Sequence, residues 1–275
     1  MTALRRCRRA IVLIAASMLA GPAAAADAAP DSIAAIDLPL MVGVDLDYPP
    51  LSYERRIDRR REGFDVDVAY ALCSVLKRRC ALVPTPFTDV LGELRDGRLD
   101  IAVVSMSITP ERAAVVDFSK PYYRAPNSYL GRPELAQLLV ADEPVELRIG
   151  VRDGTTYERY ATERLAAANF IRRYRLQSEI FADLLLGRLD LVLGNGIILD
   201  AGFLATPLGD GFALVGEPDE DGDAFGAGEA VALRKGQARL RAEIDAAIET
   251  LREDGSLDDI WRRYFPFPPG AALRP

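Results

Sequence analysis

The chain has 275 residues, long enough for two ordinary domains and too short for three. Hydrophobic residues make up 49 % and charged residues 27 %, a folded composition, and the formal charge of −7 argues against a phosphate-tracking surface and so against nucleic acid. Histidine is absent, which removes the commonest general base, every Ser-His or Cys-His nucleophile pair and most zinc and copper sites. Composition therefore points to a binder that needs neither metal nor cofactor.

Residues 1–26 read as a signal peptide. Arg5, Arg6, Arg8 and Arg9 form a positive start, Ala10 to Ala20 is apolar, and Ala24-Ala25-Ala26 offers a small-residue cleavage site before Asp27. The apolar run falls well short of the roughly 20 residues that span a bilayer, and no later segment reaches that length. Cys7 precedes the apolar run, where a lipid anchor cannot use it. Removing this segment leaves 30 Lys+Arg against 41 Asp+Glu, about −11. The expectation is an acidic soluble protein of the periplasm. In that oxidising compartment the two remaining cysteines, Cys73 and Cys80, are expected to pair. On one continuous helix they would stand about 10 Å apart, too far to bridge. A helix opening at Gly63-Phe64-Asp65 must therefore end at Lys77-Arg78-Arg79, its basic residues in the last turn, and fold back into a strand at Ala81-Leu82-Val83.

The first strand, Met41 to Asp45, runs into Tyr48-Pro49-Pro50, a rigid turn that places Tyr48 at the strand tip. Arg55 to Glu62 reads as a solvated charged loop. Glu93 to Ile101 reads as a helix, a glycine C-cap at Gly97 and a strand ending near Ser105, and Asp183 to Leu191 repeats it with Gly187 and a strand ending at Asn195. The Met41 strand is echoed at Arg148 to Asp153. Alternating strands and helices, met twice, imply an α/β protein of two similar lobes. Ligands then sit beyond the strand ends, in the cleft between the lobes.

After the strand at Ile101, Thr109-Pro110-Glu111-Arg112 reads as an N-cap and a helix start whose free amides form an anion site, with Arg112 adding a bidentate fork. Gly154-Thr155-Thr156 offers similar donors in the second lobe. Asp219 to Gly228, rich in acid and glycine, reads as a flexible surface connection without chemistry. A helix over Gln237 to Arg252 and a second N-capped by Ser256, carrying Leu257, Ile260 and Trp261 on one face, close the chain. The aromatics from Tyr264 to Phe267 are expected to pack.

These motifs together resemble the family 3 extracellular solute-binding proteins, the periplasmic receptors of polar amino acid ABC importers. The resemblance spans about residues 40 to 268. It rests on Asp45-x-Asp47-Tyr48-Pro49-Pro50, Gly63-Phe64-Asp65-Val66-Asp67, Ser105-x-Ser107-Ile108-Thr109-Pro110-Glu111-Arg112, Val116-Asp117-Phe118-Ser119-Lys120-Pro121-Tyr122-Tyr123, Gly154-Thr155-Thr156 and Tyr264-Phe265-Pro266-Phe267. The Cys73/Cys80 spacing is also similar to the disulfide of the lysine/arginine/ornithine-type receptors. It implies a two-lobed periplasmic binding protein of type II: two parallel-core sheets flanked by helices, joined by a double-strand hinge, with residues 33–128 and 228–275 as one lobe and 129–227 as the other. It further implies that Arg112 clamps a ligand carboxylate with Ser107 and Thr156, that Tyr48 and Phe87 sandwich the ligand side chain with Asp45 at its far end, and that Ser105 helps the ammonium. The partners would be a small carboxylate-bearing ligand, such as an amino acid, and an inner-membrane ABC permease, the receptor itself being a monomer.

Asn195 is a departure, because these receptors place an aspartate there to pair with the ligand ammonium. Asparagine supplies no charge; another acid such as Asp47 compensates, the ligand lacks the ammonium, or the protein has left transport. Val104, where basic amino acid receptors have serine, and Arg152, where they are apolar, argue against copying their specificity. The competing readings are an enzyme on the same scaffold, like the cyclohexadienyl dehydratases, which needs a buried acid in the cleft, and a sensory or partner-delivery protein.

Overall fold

The computed structural model describes residues 38–139, 145–218 and 224–268. The expected signal peptide lies outside them. Among the described residues no helix is long and apolar enough to cross a membrane.

Two five-stranded sheets carry the fold. The first runs, edge to edge, Cys80–Pro84, Leu40–Val44, Ile101–Ser107, Glu229–Arg234 and Val116–Tyr123. The second runs Phe170–Tyr174, Arg148–Arg152, Leu191–Asn195, Asn127–Gly131 and Ala213–Gly216. In each, three neighbouring strands are parallel and the last two are antiparallel additions. The chain passes between sheets twice, after Tyr123 and after Gly216. The strand Asn127–Gly131 belongs whole to the second sheet, so the first crossing falls ahead of Asn127 rather than at 128–129.

The anticipated repeat is visible as Val90–Arg95, Gly97 and Ile101–Ser107 in one half and Gln177–Leu185, Gly187 and Leu191–Asn195 in the other. Gly97 (φ +74°) and Gly187 (φ +65°) both take the left-handed conformation that ends a helix. Beneath the first sheet, the Ala238–Glu253 and Ser256–Tyr264 helices bury Ile244, Ile248, Leu257 and Trp261. Trp261 meets Phe64 edge to face at 5.2 Å and Phe265 at 4.4 Å, so the closing aromatics are core.

Several local expectations change. The helix beginning at Phe64 closes at Val75, with Lys77 at φ +52°, so Lys77-Arg78-Arg79 lie beyond its last turn rather than within it. Cys80 begins the next strand, and Cys73 and Cys80 are bridged with their Cα atoms 6.2 Å apart. Gly255, not Ser256, caps the last helix, because the turn between the two helices needs a left-handed residue (φ +78°). Arg61–Glu62 is no free loop but pairs with Ser52–Glu54 in a small three-stranded ribbon with Asp47–Tyr48. In the stretch read as a flexible connection, residues 219–223 are outside the description, but Phe225 is buried against Tyr157 and Tyr160. Ala227 N donates to Ile108 O and Gly228 O accepts from Ile108 N, each at 3.0 Å, which fixes the entry to the Glu229 strand.

Candidate functional site

Strand ends from both sheets converge on one cleft lined by Tyr48, Phe87, Ser105, Ser107, Arg112, Arg152, Thr155, Thr156, Tyr157, Asn195 and Glu229. The free space between them is about 20 Å³, the room of a single water. Seven of the eight residues expected in the site are therefore brought together; Asp45 stands behind the lining and reaches it through Arg152.

Arg112 is the strongest feature. It is only 8 % exposed, and its guanidinium donates to Ser107 O at 2.8 Å and to Gly154 O at 2.9 Å, one carbonyl from each half of the molecule. No carboxylate pairs with it among the described residues, and burial, reinforced by the nearby Arg159 charge, pushes its pKa down to about 10. A buried cation held only by neutral carbonyls is electrostatically incomplete and attracts an anion. Arg112 is placed by the Pro110–Val115 helix, where Pro110 follows the N-cap Thr109, whose hydroxyl accepts from Arg112 N at 3.3 Å.

The free amides expected at that helix start are not free. Thr109 takes one, and the Glu111 carboxylate accepts from its own amide and from the Thr109 hydroxyl, which holds its pKa low. The anion-binding capacity lies in the guanidinium, not the helix terminus. In the second lobe Thr155 is the N-cap, accepting from Glu158 N at 3.2 Å, which leaves the buried Thr156 facing the cleft as the first helical residue.

Two further residues are already engaged. Ser105, at φ +52°, donates its hydroxyl to Asp65 Oδ2 at 2.6 Å, and Tyr122 donates to Asp65 Oδ1 at 2.7 Å. Ser105 is thus held in an unusual conformation by a fully buried carboxyl whose pKa burial raises to about 7. Asn195 Oδ1 accepts from Ile197 N (2.9 Å) and Ile198 N (3.4 Å), while its amide nitrogen faces Tyr123 OH at 3.4 Å. Its oxygen caps a helix, so Asn195 lines the cleft without presenting a free acceptor. Asp47, considered as a compensating acid, lies outside the lining and accepts from Ser178 N at 3.1 Å.

The acid that does line the cleft is Glu229, at the head of the first sheet's last long strand and 5 % exposed. Its carboxylate accepts from Ala125 N at 3.1 Å and pairs with no cation among the described residues. Desolvation pushes its pKa up to about 8, opposed by its backbone partners and Arg124 and helped by Asp65. Sequence reasoning missed it because it follows an acid-rich stretch. The signal was there: one carboxylate heads the apolar run Ala230-Val231-Ala232-Leu233.

Among the described residues Arg152 is the other buried cation, 4 % exposed, at the end of the Arg148–Arg152 strand. Its Cζ lies over the Tyr48 ring at 4.8 Å and near the Phe87 ring at 5.7 Å, and Nη2 is 2.5 Å from Asp45 Oδ2. That oxygen makes no well-aligned hydrogen bond, so the contact is one of charge. Burial raises the Asp45 pKa while Arg152 opposes the rise.

The model of the bacterial extracellular solute-binding proteins, family 3, matches residues 40–267. The chain belongs to that family, and its fold is the two-lobed type II arrangement. It is similar to an L-arginine-binding protein of Pseudomonas aeruginosa, 38 % identical over 237 residues covering 85 % of this chain and 90 % of the relative. It is also similar to a lysine/arginine/ornithine-binding periplasmic protein of Escherichia coli, 31 % identical over 258 residues covering 93 % and 96 %. A solved ancestral amino acid-binding protein, described as a precursor of cyclohexadienyl dehydratase, superimposes with a TM-score of 0.70 at 28 % identity, covering 82 % of this chain and 94 % of that one.

Proposed function

We propose that this chain is a periplasmic receptor that captures an α-amino acid, or a closely related small carboxylate, by closing its lobes and delivers it to an ABC permease. Residues 1–26 serve for export, and the mature receptor works as a monomer. Arg112 clamps the ligand carboxylate, with the Thr156 and Ser107 groups beside it. Glu229 replaces the missing aspartate as counter-ion to the ammonium. The observation that carries this reading is Arg112 itself: a buried guanidinium bound to one carbonyl from each lobe and, among the described residues, to no acid. Because Arg112 also reaches Gly154 O, a carboxylate seated on it lies against both lobes, which couples binding to closure.

The relatives' printed names, binding proteins for arginine, lysine and ornithine, support a receptor rather than an enzyme. The enzyme reading keeps one specific argument, a cleft carboxyl protonated near neutral pH at Glu229, which is the form a general acid needs. Thermal melting against L-amino acids, their α-amides and their deaminated analogues tests the proposal. A ligand at 100 times its dissociation constant stabilises by about 2.7 kcal/mol. Shifts by carboxylates and not by the amides are expected. No shift by any carboxylate overturns the reading, and turnover of prephenate-like acids puts the enzyme in its place.

A further inference from the structure

We propose that Arg152 is a tethered cation that permanently fills the side-chain end of the cleft, so that the ligand is an amino acid with a compact, uncharged side chain rather than a cationic one. This rests on the amino acid reading above and narrows it.

The surroundings of the Arg152 guanidinium are those of a cation site. An aromatic face at 4.8 Å, a second ring at 5.7 Å and a buried carboxylate at 2.5 Å are what a guanidinium or ammonium requires when it leaves water. Tyr48, Phe87 and Asp45 come from the first lobe, whereas Arg152 ends a strand of the second. One lobe therefore supplies the receptacle and the other supplies its occupant as the two close. The remaining contact, Arg152 Nε to Arg175 O at 3.4 Å, is too long to dictate the pose, which leaves Asp45 and the rings to set it.

Charge counting then decides against a cationic ligand. Asp45 is the carboxylate in contact with Arg152, and it is only 4 % exposed. A ligand guanidinium or ammonium arriving at the same place would set two cations against one acid. Displacing Arg152 instead would strip Asp45 of its partner unless the newcomer replaced it atom for atom, and would send a buried arginine into a closed interior. The ends of the cleft are thus unequal. Arg112, Thr156, Asn195 and Glu229 face the zwitterionic head, and the side-chain end is already occupied.

The test uses calorimetric titration and thermal melting of the mature chain and of Arg152→Leu and Arg152→Met, each with glycine, L-alanine, L-serine, L-glutamate, L-ornithine and L-arginine. The wild type is expected to bind one or more of the three compact amino acids and to bind arginine and ornithine at least tenfold more weakly. Either variant that melts cooperatively is expected to gain at least tenfold in affinity for arginine or ornithine, since Tyr48, Phe87 and Asp45 are then vacated. Arginine binding to the wild type as tightly as the best compact ligand would overturn the inference while leaving the receptor reading intact. So would glutamate as the preferred ligand with affinity lost in the variants, because Arg152 would then be a ligand contact. So, too, would variants that still bind the compact ligand yet gain nothing for cations. Silence from every ligand in wild type and variants alike would remove the receptor reading and this inference together.

Discussion

As the proposed counter-ion to a ligand ammonium, Glu229 should make amino acid binding depend on pH. Its carboxyl is buried, accepts from the backbone at Ala125 N, has no ion-pair partner among the described residues, and is pushed up to about 8 by desolvation. The charged and titratable groups around it are Arg124, Arg112, Asp65, Tyr48 and Tyr123. In the ligand-free protein at pH 6 it is therefore protonated. Pairing with a ligand ammonium requires the carboxylate, so binding at pH 6 must first remove a proton held by two pKa units. At about 1.4 kcal/mol per unit that is ~2.7 kcal/mol, a hundredfold in affinity between pH 6 and a plateau above pH 8. Titration calorimetry from pH 5.5 to 9, repeated in buffers of different ionisation enthalpy, should show affinity rising with pH and nearly one proton released per ligand near pH 6.5. Glu229→Gln should flatten the profile, abolish proton release and erase the preference for an amino acid over its deaminated analogue. Stability gives an independent reading with the opposite slope. Between 4.5 and about 8 the native state holds a proton that the unfolded chain has lost, so ligand-free stability falls as pH rises through that window. At pH 9 Glu229→Gln should melt above the wild type, by up to an amount on the order of 4–5 kcal/mol. A flat affinity profile in the wild type, or a Gln variant that keeps both the slope and the amine preference, would refute the counter-ion role.

Asn195→Asp keeps the oxygen that caps Ile197 N and Ile198 N and adds a charge beside Tyr123. It should strengthen α-amino acids at least tenfold at pH 6, where Glu229 is protonated, and leave deaminated acids unimproved; equal effects on both, read by the same titration, would place the head group elsewhere. Replacing Cys73 and Cys80 by serine opens a bridge of sequence separation 7. Loop entropy alone assigns it about 2.5 kcal/mol. Chemical denaturation should show that loss with ligand affinity unchanged, because the bridge ties a helix end to the start of an edge strand and neither cysteine lines the cleft.

What could be read from the residues was the local chemistry. Thr109-Pro110 announces a helix start whatever packs on it, so the position of Arg112 followed directly. The duplicated helix, glycine and strand gave the two sheets for the same reason, since Gly97 and Gly187 each stop a helix through their own backbone. The unreadable part was long-range. Nothing near Asp45 says that Arg152 will lie against it, and nothing near Asp65 says that Ser105 and Tyr122 will share its carboxyl. Burial also reversed one reading: the stretch from Asp219 to Gly228, read as a flexible surface connection, holds Phe225 buried against Tyr157 and Tyr160 just ahead of the buried Glu229. Ser256 was misread because serine is a good cap in general, whereas the sharp turn here required a left-handed glycine one residue earlier.

The claim that a lone buried guanidinium seizes a carboxylate across the two lobes is tested most directly by titrating Arg112→Ala with the strongest amino acid found for the wild type. Truncating one partner of a buried, hydrogen-bonded charge pair costs about 2–5 kcal/mol. A loss of roughly thirtyfold or more is expected in a variant that still melts cooperatively. Affinity retained within threefold would contradict it.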